Sequence, residues 1–588
     1  MNSLDDRLRT AFERLRAGDS AGVERECVEV LKAAPGQADA LHLLGMARLT
    51  SGRIDEAVEL IGQARAGRPQ DVAMLENLGL AYLMKGAHAE AERTLREALH
   101  AGSVQGLTQA RLGQALVAQG RLHEAIAAFE QALALDPALA AAHYLRANAL
   151  RDLRRLEEAL AAYDRAVTLQ SGYAEALNNR GNVLQLLGRV ADAAASYEGA
   201  VRANPRFAGA WDNLGNTLRA LGRREEALAS YERAISARPQ FAKPHYNRAN
   251  VCQELGRYEE AVAGYERALA LDPRHRRALG ALYYARRHLC DWKEFAARTA
   301  ALVAAVNDDN AVIEPLVFAC AHDDAAAQLQ CARQYAKNEF ASVDPLPPIA
   351  PRPPAARIRI AYVSADFRQH PVGQLMAGLL EQHDRAKFEI FGFSYGADDA
   401  SPLRTRLRAG CDHFLDVCGE GDRAVAQRLR EQAIDIAVDL TGYTQDGRPG
   451  IFSHRAAPVQ VGYLGFPGTL GTECMDYLLA DEFVVPPALR AHYAEQIVYL
   501  PDCFMVNGPR DAKEAAMPTR ASEGLPAEGF VFCCFNNAFK IEPRLFDVWM
   551  RLLGAVPGSV LWLRQTNAAA ERNLRATAGA QGIDPARL

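Results

Sequence analysis

The sequence predicts an α-helical repeat superhelix followed by an α/β domain. Three observations support this prediction: small residues that return every 34 residues between about 38 and 275, a proline-rich stretch at 344–357, and alternating strand-like and helix-like patterns after Arg357. A period of this length indicates stacked helical units, and alternating strands and helices indicate a parallel sheet. We therefore expect a binding surface joined to a doubly wound domain that has its own ligand site.

The composition limits the classes of function. The net charge is -5, the pI is near 6.3, and the chain has no apolar run long enough to span a membrane. We therefore expect binding neither to nucleic acid nor to membranes. The N-terminus, MNSLDDRLRTAFERL, lacks the apolar core of a signal peptide, and the eleven cysteines show no disulfide-framework or metal-type spacing. These features predict a cytoplasmic protein with reduced thiols.

Each repeat carries two helical stretches, and small residues mark where they meet. The glycine or alanine of the first stretch recurs at Gly45, Gly79, Gly113, Ala147, Gly181, Gly215 and Ala249. A unit of this kind cannot bury its own apolar face, so the units must stack. The period, with its order of small, small, aromatic and proline residues, resembles the tetratricopeptide repeat. Counting a degenerate first unit at about 4–37, we expect about eight units over residues 1–275.

Asparagines recur on the first helix of several repeats. They are Asn77, Asn148, Asn179, Asn182, Asn213, Asn216, Asn247 and Asn250. A spacing of three residues places both members of a pair on one helix face, which lines the concave surface of such a superhelix. An amide carries both a donor and an acceptor, so this ladder predicts a site that holds an extended peptide by its backbone. The alternative is that the asparagines hydrogen-bond one repeat to the next.

The chain changes character after the repeats. The repeat phase is lost at 276–343, although HLCDWKEFAARTAALV (288–303) keeps a helical pattern, and DPLPPIAPRPPAAR (344–357) predicts a proline-rich linker. Strand patterns then alternate with helices through 358–525, and a second set, at 526–588, contains FVFCCFNN and SVLWLRQ. Two such sets predict two Rossmann-like halves with a cleft between them.

Two loops follow strands of these halves, at the edge where such sheets bind ligands. In the first, His370 precedes Pro371 at the start of a predicted helix, where the helix dipole favours a neutral imidazole that can act as a general base. In the second, Lys540 precedes a helix that begins at Pro543, so its charge and the helix amides can converge on a phosphate. A single histidine is more often structural and a single lysine is more often solvated. Two such loops in one chain support a ligand site more strongly than either residue alone.

Longer stretches carry a resemblance to a family. YVSADFRQHPVGQLM, APVQVGYLGFPGTLG, FNNAFKIEP and VPGSVLWL resemble the catalytic region of the protein O-linked N-acetylglucosamine transferases, and the preceding repeats extend the resemblance over nearly the whole chain. The resemblance implies a two-halved GT-B type glycosyltransferase that is inverting, needs no metal and no cofactor, and binds its nucleotide sugar between the halves. It also implies protein or peptide acceptors guided by the repeats, and it is compatible with a homo-oligomer formed through them.

The resemblance assigns roles to individual residues. The histidine of the family's HP motif matches His370, which implies a place in the active site as base or acceptor contact. The lysine of KI-P matches Lys540, which would neutralise the donor diphosphate. Asn537 matches an amide that contacts the nucleotide and is glutamine in many members. Pro467, Gly468 and Thr469 match a segment beside the sugar and the acceptor.

Some alternatives stay open at this point. UDP-GlcNAc is the expected donor, and GDP-fucose is the alternative because the plant SPINDLY proteins, which transfer fucose, share FNN-x2-KI-P. Those proteins usually depart from the PGT stretch that this chain retains. In the family a third strand and an HTT-x2-D segment follow the lysine loop, whereas this sequence stops at Leu588, so we expect the second half to be incomplete. The remaining alternative is a non-catalytic scaffold that binds peptides.

Overall fold

The structure is a computed structural model that describes residues 4–308, 311–341, 343–353, 355–506 and 518–588. The chain forms two compact units, Met1–Arg238 and Pro239–Leu588. Within the described ranges, no helix is both long enough and apolar enough to cross a bilayer. The eleven cysteines all lie in the described ranges, and none of them forms a disulfide.

The first unit consists of seven consecutive helix pairs. They are α1 Leu4–Arg16, α2 Ser20–Ala33, α3 Ala38–Thr50, α4 Ile54–Gly67, α5 Val72–Lys85, α6 His88–His100, α7 Gly106–Ala118, α8 Leu122–Leu135, α9 Ala140–Asp152, α10 Leu156–Leu169, α11 Ala174–Leu186, α12 Val190–Ala203, α13 Ala208–Ala220 and α14 Arg224–Ala237.

Small residues bring the two helices of each pair together. A Cβ atom on Gly181 would lie 2.6 Å from the ring of Tyr197, and one on Gly215 would lie 2.5 Å from the ring of Tyr231. Both tyrosine side chains are fully buried. Gly188 closes the turn inside one pair with φ of +74°, a conformation that favours glycine. The predicted helical repeat array is confirmed.

The second unit opens with an eighth helix pair and a short helical region. These helices are α15 Ala242–Glu254, α16 Tyr258–Leu271, α17 Ala278–His288, α18 Phe295–Ala305, α19 Pro315–Ala319 and α20 Ala325–Phe340. The helical pattern of 288–303 holds at His288 and from Phe295 onward, and it is interrupted between α17 and α18, where the chain leaves the helical path. Cys290 and Glu294 adopt positive φ angles there, and Cys290 is buried in the core of the last lobe.

A seven-stranded parallel sheet follows the proline-rich stretch. Its strands are β1 Ile358–Ser364, β2 Phe388–Ser394, β3 His413–Asp416, β4 Ile436–Asp439, β5 Val459–Gly462, β6 Tyr477–Ala480 and β7 Gln496–Tyr499. Between the strands lie α21 Pro371–Gln382, α22 Pro402–Ala409, α23 Asp422–Glu431, α24 Gly450–Ser453 and a 3₁₀ turn, Pro487–His492. The order is β3-β2-β1-β4-β5-β6-β7 and every pair is parallel, which confirms the predicted doubly wound sheet.

The last lobe contains two further parallel strands. Its elements are β8 Val531–Cys534, a 3₁₀ turn at Ala538–Lys540, α25 Pro543–Ala555, β9 Val560–Leu563, α26 Ala568–Ala580 and a 3₁₀ turn at Pro585–Arg587. Phe546, Met550 and Leu561 form the centre of its core, and Cys290 joins them from the segment after α17. The helical region and the last lobe therefore share one core.

Candidate active site

The ligand edge of the large sheet has its switch point between β1 and β4. The chain runs outward from this point to β2 and β3 on one side and to β5, β6 and β7 on the other. The hydroxyls of Ser364, at the end of β1, and Thr441, just after β4, are 3.1 Å apart and both residues are fully buried. Loops that leave neighbouring strands in opposite directions open a crevice at such a point.

His370 lies beside this crevice, where the sequence placed it. It is the N-cap residue of α21, and its Nδ1 accepts a hydrogen bond from the backbone N–H of Val372 at 3.3 Å. The same nitrogen lies 3.4 Å from Oδ1 of Asp366, and 38% of the histidine side chain is exposed. In the described part of the chain Nε2 has no hydrogen-bond partner. Nδ1 therefore faces protein groups, while the opposite nitrogen is available to a ligand.

Asp366 is the residue behind His370 that sequence reasoning missed. Its side chain is only 5% exposed, and its backbone N–H donates to Ser364 Oγ at 2.9 Å. Burial raises the pKa of Asp366, while the charges of His370 and Arg368 act against that rise. Arg368 lies 3.6 Å from Asp366 and 3.2 Å from Asp446. The carboxyl is thus fixed beneath the imidazole, where it can orient it.

A second buried carboxyl lies at the end of β4. Asp439 Oδ1 accepts the N–H groups of Thr441 and Gly442 at 2.9 and 3.1 Å. Its Oδ2 is buried without a hydrogen-bond partner among the described residues, and so is the hydroxyl of Tyr395. Burial raises the pKa of Asp439 to about 6. Burial also raises the pKa of Tyr395, and the nearby carboxyls of Asp439 and Asp366 add to the effect.

The PGT segment, which consists of Pro467, Gly468 and Thr469, lies close to Asp439. Gly468 and Asp439 line the same small cavity, together with Glu495. Thr469 is buried, and its hydroxyl donates to Glu495 Oε2 at 2.7 Å, so in this structure it shapes the loop from inside. Pro467 is exposed. The structure therefore brings Gly468 close to the buried end of β4, and it directs the Thr469 hydroxyl away from solvent.

The loop after β8 has two distinct faces. Asn537 and Lys540 are exposed, whereas Ala538, Phe539 and Ile541 are buried. The Lys540 N–H donates to the Asn537 carbonyl at 3.0 Å, which closes the 3₁₀ turn. Within the described ranges, no hydrogen bond or ion pair connects this loop to His370 or to the PGT segment. The lysine and the asparagine are presented together on the surface of the last lobe.

The asparagines of the first unit are partly used inside the array. Oδ1 of Asn182 accepts the hydroxyl of Tyr197 at 2.7 Å and, at 3.3 Å, the Nδ2–H of Asn213 from the next repeat. The same pattern joins Asn148, Tyr163 and Asn179, and Asn216 accepts the Tyr231 hydroxyl at 2.9 Å. In the described part of the chain, the Nδ2 groups of Asn148 and Asn182 have no protein partner.

The second unit carries the last pair of the predicted ladder. Asn250 accepts the Tyr265 hydroxyl at 2.8 Å, and Asn247 is buried. The Asn250 carbonyl oxygen therefore bonds within its own helix pair, whereas the bonds from Asn213 to Asn182 and from Asn179 to Asn148 join one repeat to the next, which is the pattern of the alternative interpretation.

Fold and site together define a helical repeat protein with a doubly wound α/β part whose ligand edge carries a histidine and a buried carboxyl. Comparison with known families agrees. Residues 348–512 and 507–588 match the model described as Glycosyl transferase family 41. Tetratricopeptide repeat models match residues 42–105, 111–174, 174–207, 215–256 and 242–275. The region 348–588 belongs to glycosyl transferase family 41, and it follows an array of tetratricopeptide repeats.

Individual relatives cover only part of the chain. It is 39% identical over 234 residues to "Probable UDP-N-acetylglucosamine--peptide N-acetylglucosaminyltransferase SEC" of Arabidopsis thaliana, covering 39% of this chain and 24% of the relative. It is 37% identical over 213 residues to "Probable UDP-N-acetylglucosamine--peptide N-acetylglucosaminyltransferase SPINDLY" of the same organism, covering 35% of this chain and 23% of the relative. The chain thus spans about a quarter of the length of these relatives.

A solved structure is also similar to this chain. It is a mutant of the Thermobaculum terrenum O-GlcNAc transferase, at 28% identity and a TM-score of 0.47, with 71% of this chain and 73% of that chain covered.

Proposed function

We propose that this chain is an inverting protein O-glycosyltransferase that moves one sugar from a nucleotide donor to serine or threonine hydroxyls. The observation that carries the proposal is His370. In a region that belongs to a glycosyltransferase family, it lies beside the crevice at the sheet's switch point, with Nδ1 against Asp366 and with Nε2 lacking a partner among the residues that the structure describes. A general base needs a nitrogen that is held in place and open to the acceptor.

The proposed reaction is a single displacement. The acceptor hydroxyl oxygen forms a bond to the anomeric carbon, and the bond from that carbon to the diphosphate oxygen breaks. The hydroxyl proton passes to Nε2 of His370, whose ring proton then lies on Nδ1 and points to Asp366 in place of the Val372 N–H contact. The nucleoside diphosphate leaves with the electron pair of the broken bond. Lys540 would neutralise the charge that develops on it, and charge stabilisation of this kind is usually a large part of catalysis. Asn537, exposed beside Lys540, would contact the nucleotide.

We propose UDP-GlcNAc as the donor. The name of the SEC relative from Arabidopsis thaliana states this donor, which supports the proposal. GDP-fucose is the second candidate, because Asn537 occurs in the FNN form shared with fucose-transferring relatives. Incubation of the purified chain with each nucleotide sugar and a protein acceptor, followed by mass spectrometry, tests the choice. An added N-acetylhexosamine supports UDP-GlcNAc, an added deoxyhexose supports GDP-fucose, and transfer from neither favours a peptide-binding scaffold.

We also propose that the asparagine ladder guides extended acceptors. Replacing Asn148 and Asn182 by alanine removes two side-chain N–H groups that have no protein partner in the described part of the chain. The double variant should modify long protein substrates more slowly and short peptides at the wild-type rate. Asn204→Ala, which changes an exposed asparagine in an inter-repeat turn, is the control. Equal loss for long and short substrates would show that the asparagines only hold the repeats together.

A cytoplasmic location is part of the proposal. It is supported by the eleven free cysteines, since disulfides form mainly in oxidising compartments. Immunolocalisation of the chain in its host cell tests this, and recovery outside the cytoplasm would contradict it.

A further inference from the structure

The loop that carries Lys540 is anchored from its buried side. Phe539, which precedes the lysine, is buried and packs against the rings of Tyr284 and His288, with centroid distances of 5.3 and 4.9 Å. His288 also stacks on Tyr258 at 4.3 Å, and burial lowers the pKa of this histidine to about 4. The aromatic contacts come from the last repeat and from α17, so the helical region forms the floor beneath the loop.

Polar contacts fix the backbone of the same loop. Arg287 Nε donates to the carbonyl oxygen of Phe539 at 2.8 Å, and the thiol of Cys290 lies 3.7 Å from the carbonyl oxygen of Ala538. The carbonyl that Arg287 holds belongs to the peptide group whose N–H is that of Lys540. Arg287 therefore sets the plane of this peptide, and with it the direction in which the Lys540 side chain leaves the loop.

Arg287 is unusual for a residue that only holds two parts together. Its side chain is 3% exposed, and its Nη1 has no hydrogen-bond partner in the described ranges. Its nearest carboxylate, Glu542, is 3.5 Å away and half-exposed. A buried guanidinium is costly unless its hydrogen bonds are specific, so its donation to one loop carbonyl is the feature that needs a reason.

The lobe has other contacts that dock it without touching this loop. Asn567 Nδ2 donates to the His288 carbonyl at 2.9 Å, Asn573 Nδ2 donates to the Leu289 carbonyl at 2.8 Å, and Arg572 pairs with Glu259 at 2.7 Å. These bonds reach α26 rather than the lysine loop. Docking of the lobe and anchoring of the loop are therefore separable.

We propose that Arg287 is a positioning residue for Lys540, so that the end of the repeat array fixes the cation that faces the donor diphosphate. The inference rests on the proposed function, because it takes this loop as the diphosphate site. Lys540 is exposed and has no ion pair among the described residues; its Nζ lies 5.9 Å from the centroid of the Phe539 ring, and its backbone is the part that hydrogen bonds fix before a ligand arrives. Fixing the backbone in advance keeps the ammonium group near the place where charge develops.

The first test is amide hydrogen exchange of the free protein, which needs no activity. In Arg287→Met and in Arg287→Lys, which keeps the charge but moves the donor, exchange at Lys540 and Ile541 should be at least about tenfold faster. Exchange in β8 and in the later turns of α25, beyond the Glu542 N-cap that Arg287 also contacts, should be unchanged. Arg572→Gln, which breaks an exposed ion pair of the docking set, is the control and should leave the loop unaffected. An unchanged loop, or equal loosening of the whole lobe, would overturn the inference.

The second test is calorimetric binding of UDP. Arg287→Met should raise the Kd at least about tenfold, since small misplacements of a site group have effects of that order. In an Arg287→Met/Lys540→Ala double variant, the added effect of Arg287→Met should largely disappear, because two residues acting through one contact are not additive. A Kd that responds to Lys540→Ala alone would overturn the positioning role. If neither variant alters UDP binding, the donor site of the proposed function is wrong, and the positioning role is lost with it.

Discussion

The loops that carry His370 and Lys540 occupy equivalent places between a strand and a helix, but different contacts fix them. Each follows a parallel strand and precedes a helix whose first residue is a proline, Pro371 or Pro543. His370 is the N-cap of its own helix and finds its carboxyl partner four residues earlier. The lysine loop instead depends on Arg287, 252 residues away in the sequence. The His370 imidazole is oriented by residues close to it in the sequence. The Lys540 side chain is exposed, and a distant residue fixes the backbone that carries it.

The largest expected effect tests the histidine side of this comparison. His370→Ala should lower the rate of transfer by about 10²-fold or more, because the hydroxyl loses its proton acceptor, while UDP binding stays nearly unchanged. Initial rates and UDP calorimetry measure the two quantities. His413→Ala is the control, since His413 is an exposed imidazole on β3 that pairs with Glu389. A folded His370→Ala protein with near wild-type rate would remove the general-base role.

The next effect tests the lysine side. Lys540→Ala should remove about 2–4 kcal/mol of transition-state stabilisation, because one charge that faces the leaving diphosphate is lost. This corresponds to a decrease of about 30- to 1000-fold in kcat/KM. Lys387→Ala removes a lysine that is 74% exposed and pairs with the partly exposed Asp384, and it should be neutral. Matching rates for the two variants would contradict a diphosphate contact for Lys540.

A smaller effect on kcat is expected when the His370 imidazole is kept but the carboxyl that orients it, Asp366, is changed. The base role needs the ring proton on Nδ1, directed to the Asp366 carboxylate. In Asp366→Asn the amide N–H can donate to Nδ1 as the Val372 N–H does, so the ring proton moves to Nε2, which can then no longer accept a proton. We expect kcat to fall about tenfold with the acceptor KM unchanged, and imidazole nitrogen shifts in NMR to report the tautomer. Asp399→Asn is the control, because Asp399 accepts the N–H of Gln369, the residue before His370, and in the described ranges it forms no hydrogen bond or ion pair with the imidazole. An unchanged tautomer would contradict orientation by Asp366.

Sequence patterns were sufficient for the fold and for the two loops. The 34-residue period required stacked helix pairs, and apolar strands such as RIAYVSAD required a buried sheet, because no other arrangement hides those faces. His370 and Lys540 were predictable as candidates since both precede a helix-starting proline after a strand. These are signals between residues close in the sequence, and they do not depend on the rest of the chain.

The partners of these residues could not be predicted in the same way. In the sequence, Arg287 is one of several arginines in a helical stretch and has no distinguishing feature. It contacts the lysine loop because the chain leaves the helix after it, so that Cys290 and Trp292 pack in the core of the last lobe. Asp439 ends an apolar strand, and only its burial makes it unusual. The break between α17 and α18 is the feature that brings Arg287 to the last lobe. The sequence did not predict it, because HLCDWKEFAARTAALV has a helical pattern throughout.

The smallest expected effect is on stability and concerns Asp439, at the end of β4 in the sheet that carries the His370 loop. Burial raises the pKa of Asp439 to about 6 from an ordinary 3.8. Between these values the folded protein holds a proton that the unfolded chain releases. The free energy of unfolding should therefore fall as the pH rises from about 4 to 6, by up to about 3 kcal/mol, and stay lower above pH 6.

Asp439→Asn should remove this contribution, so that its melting temperature declines less over the same range than that of the wild type. Thermal unfolding across pH 4–7 measures it, with Asp435→Asn at the opposite end of β4 as the control, since Asp435 is partly exposed and pairs with Arg352. Equal pH dependence in the Asp439→Asn variant and the wild type would mean that this carboxyl stays ionised in the fold. The edge beneath His370 would then be open to water, and the proposed base would work in a wetter site than its buried neighbours suggest.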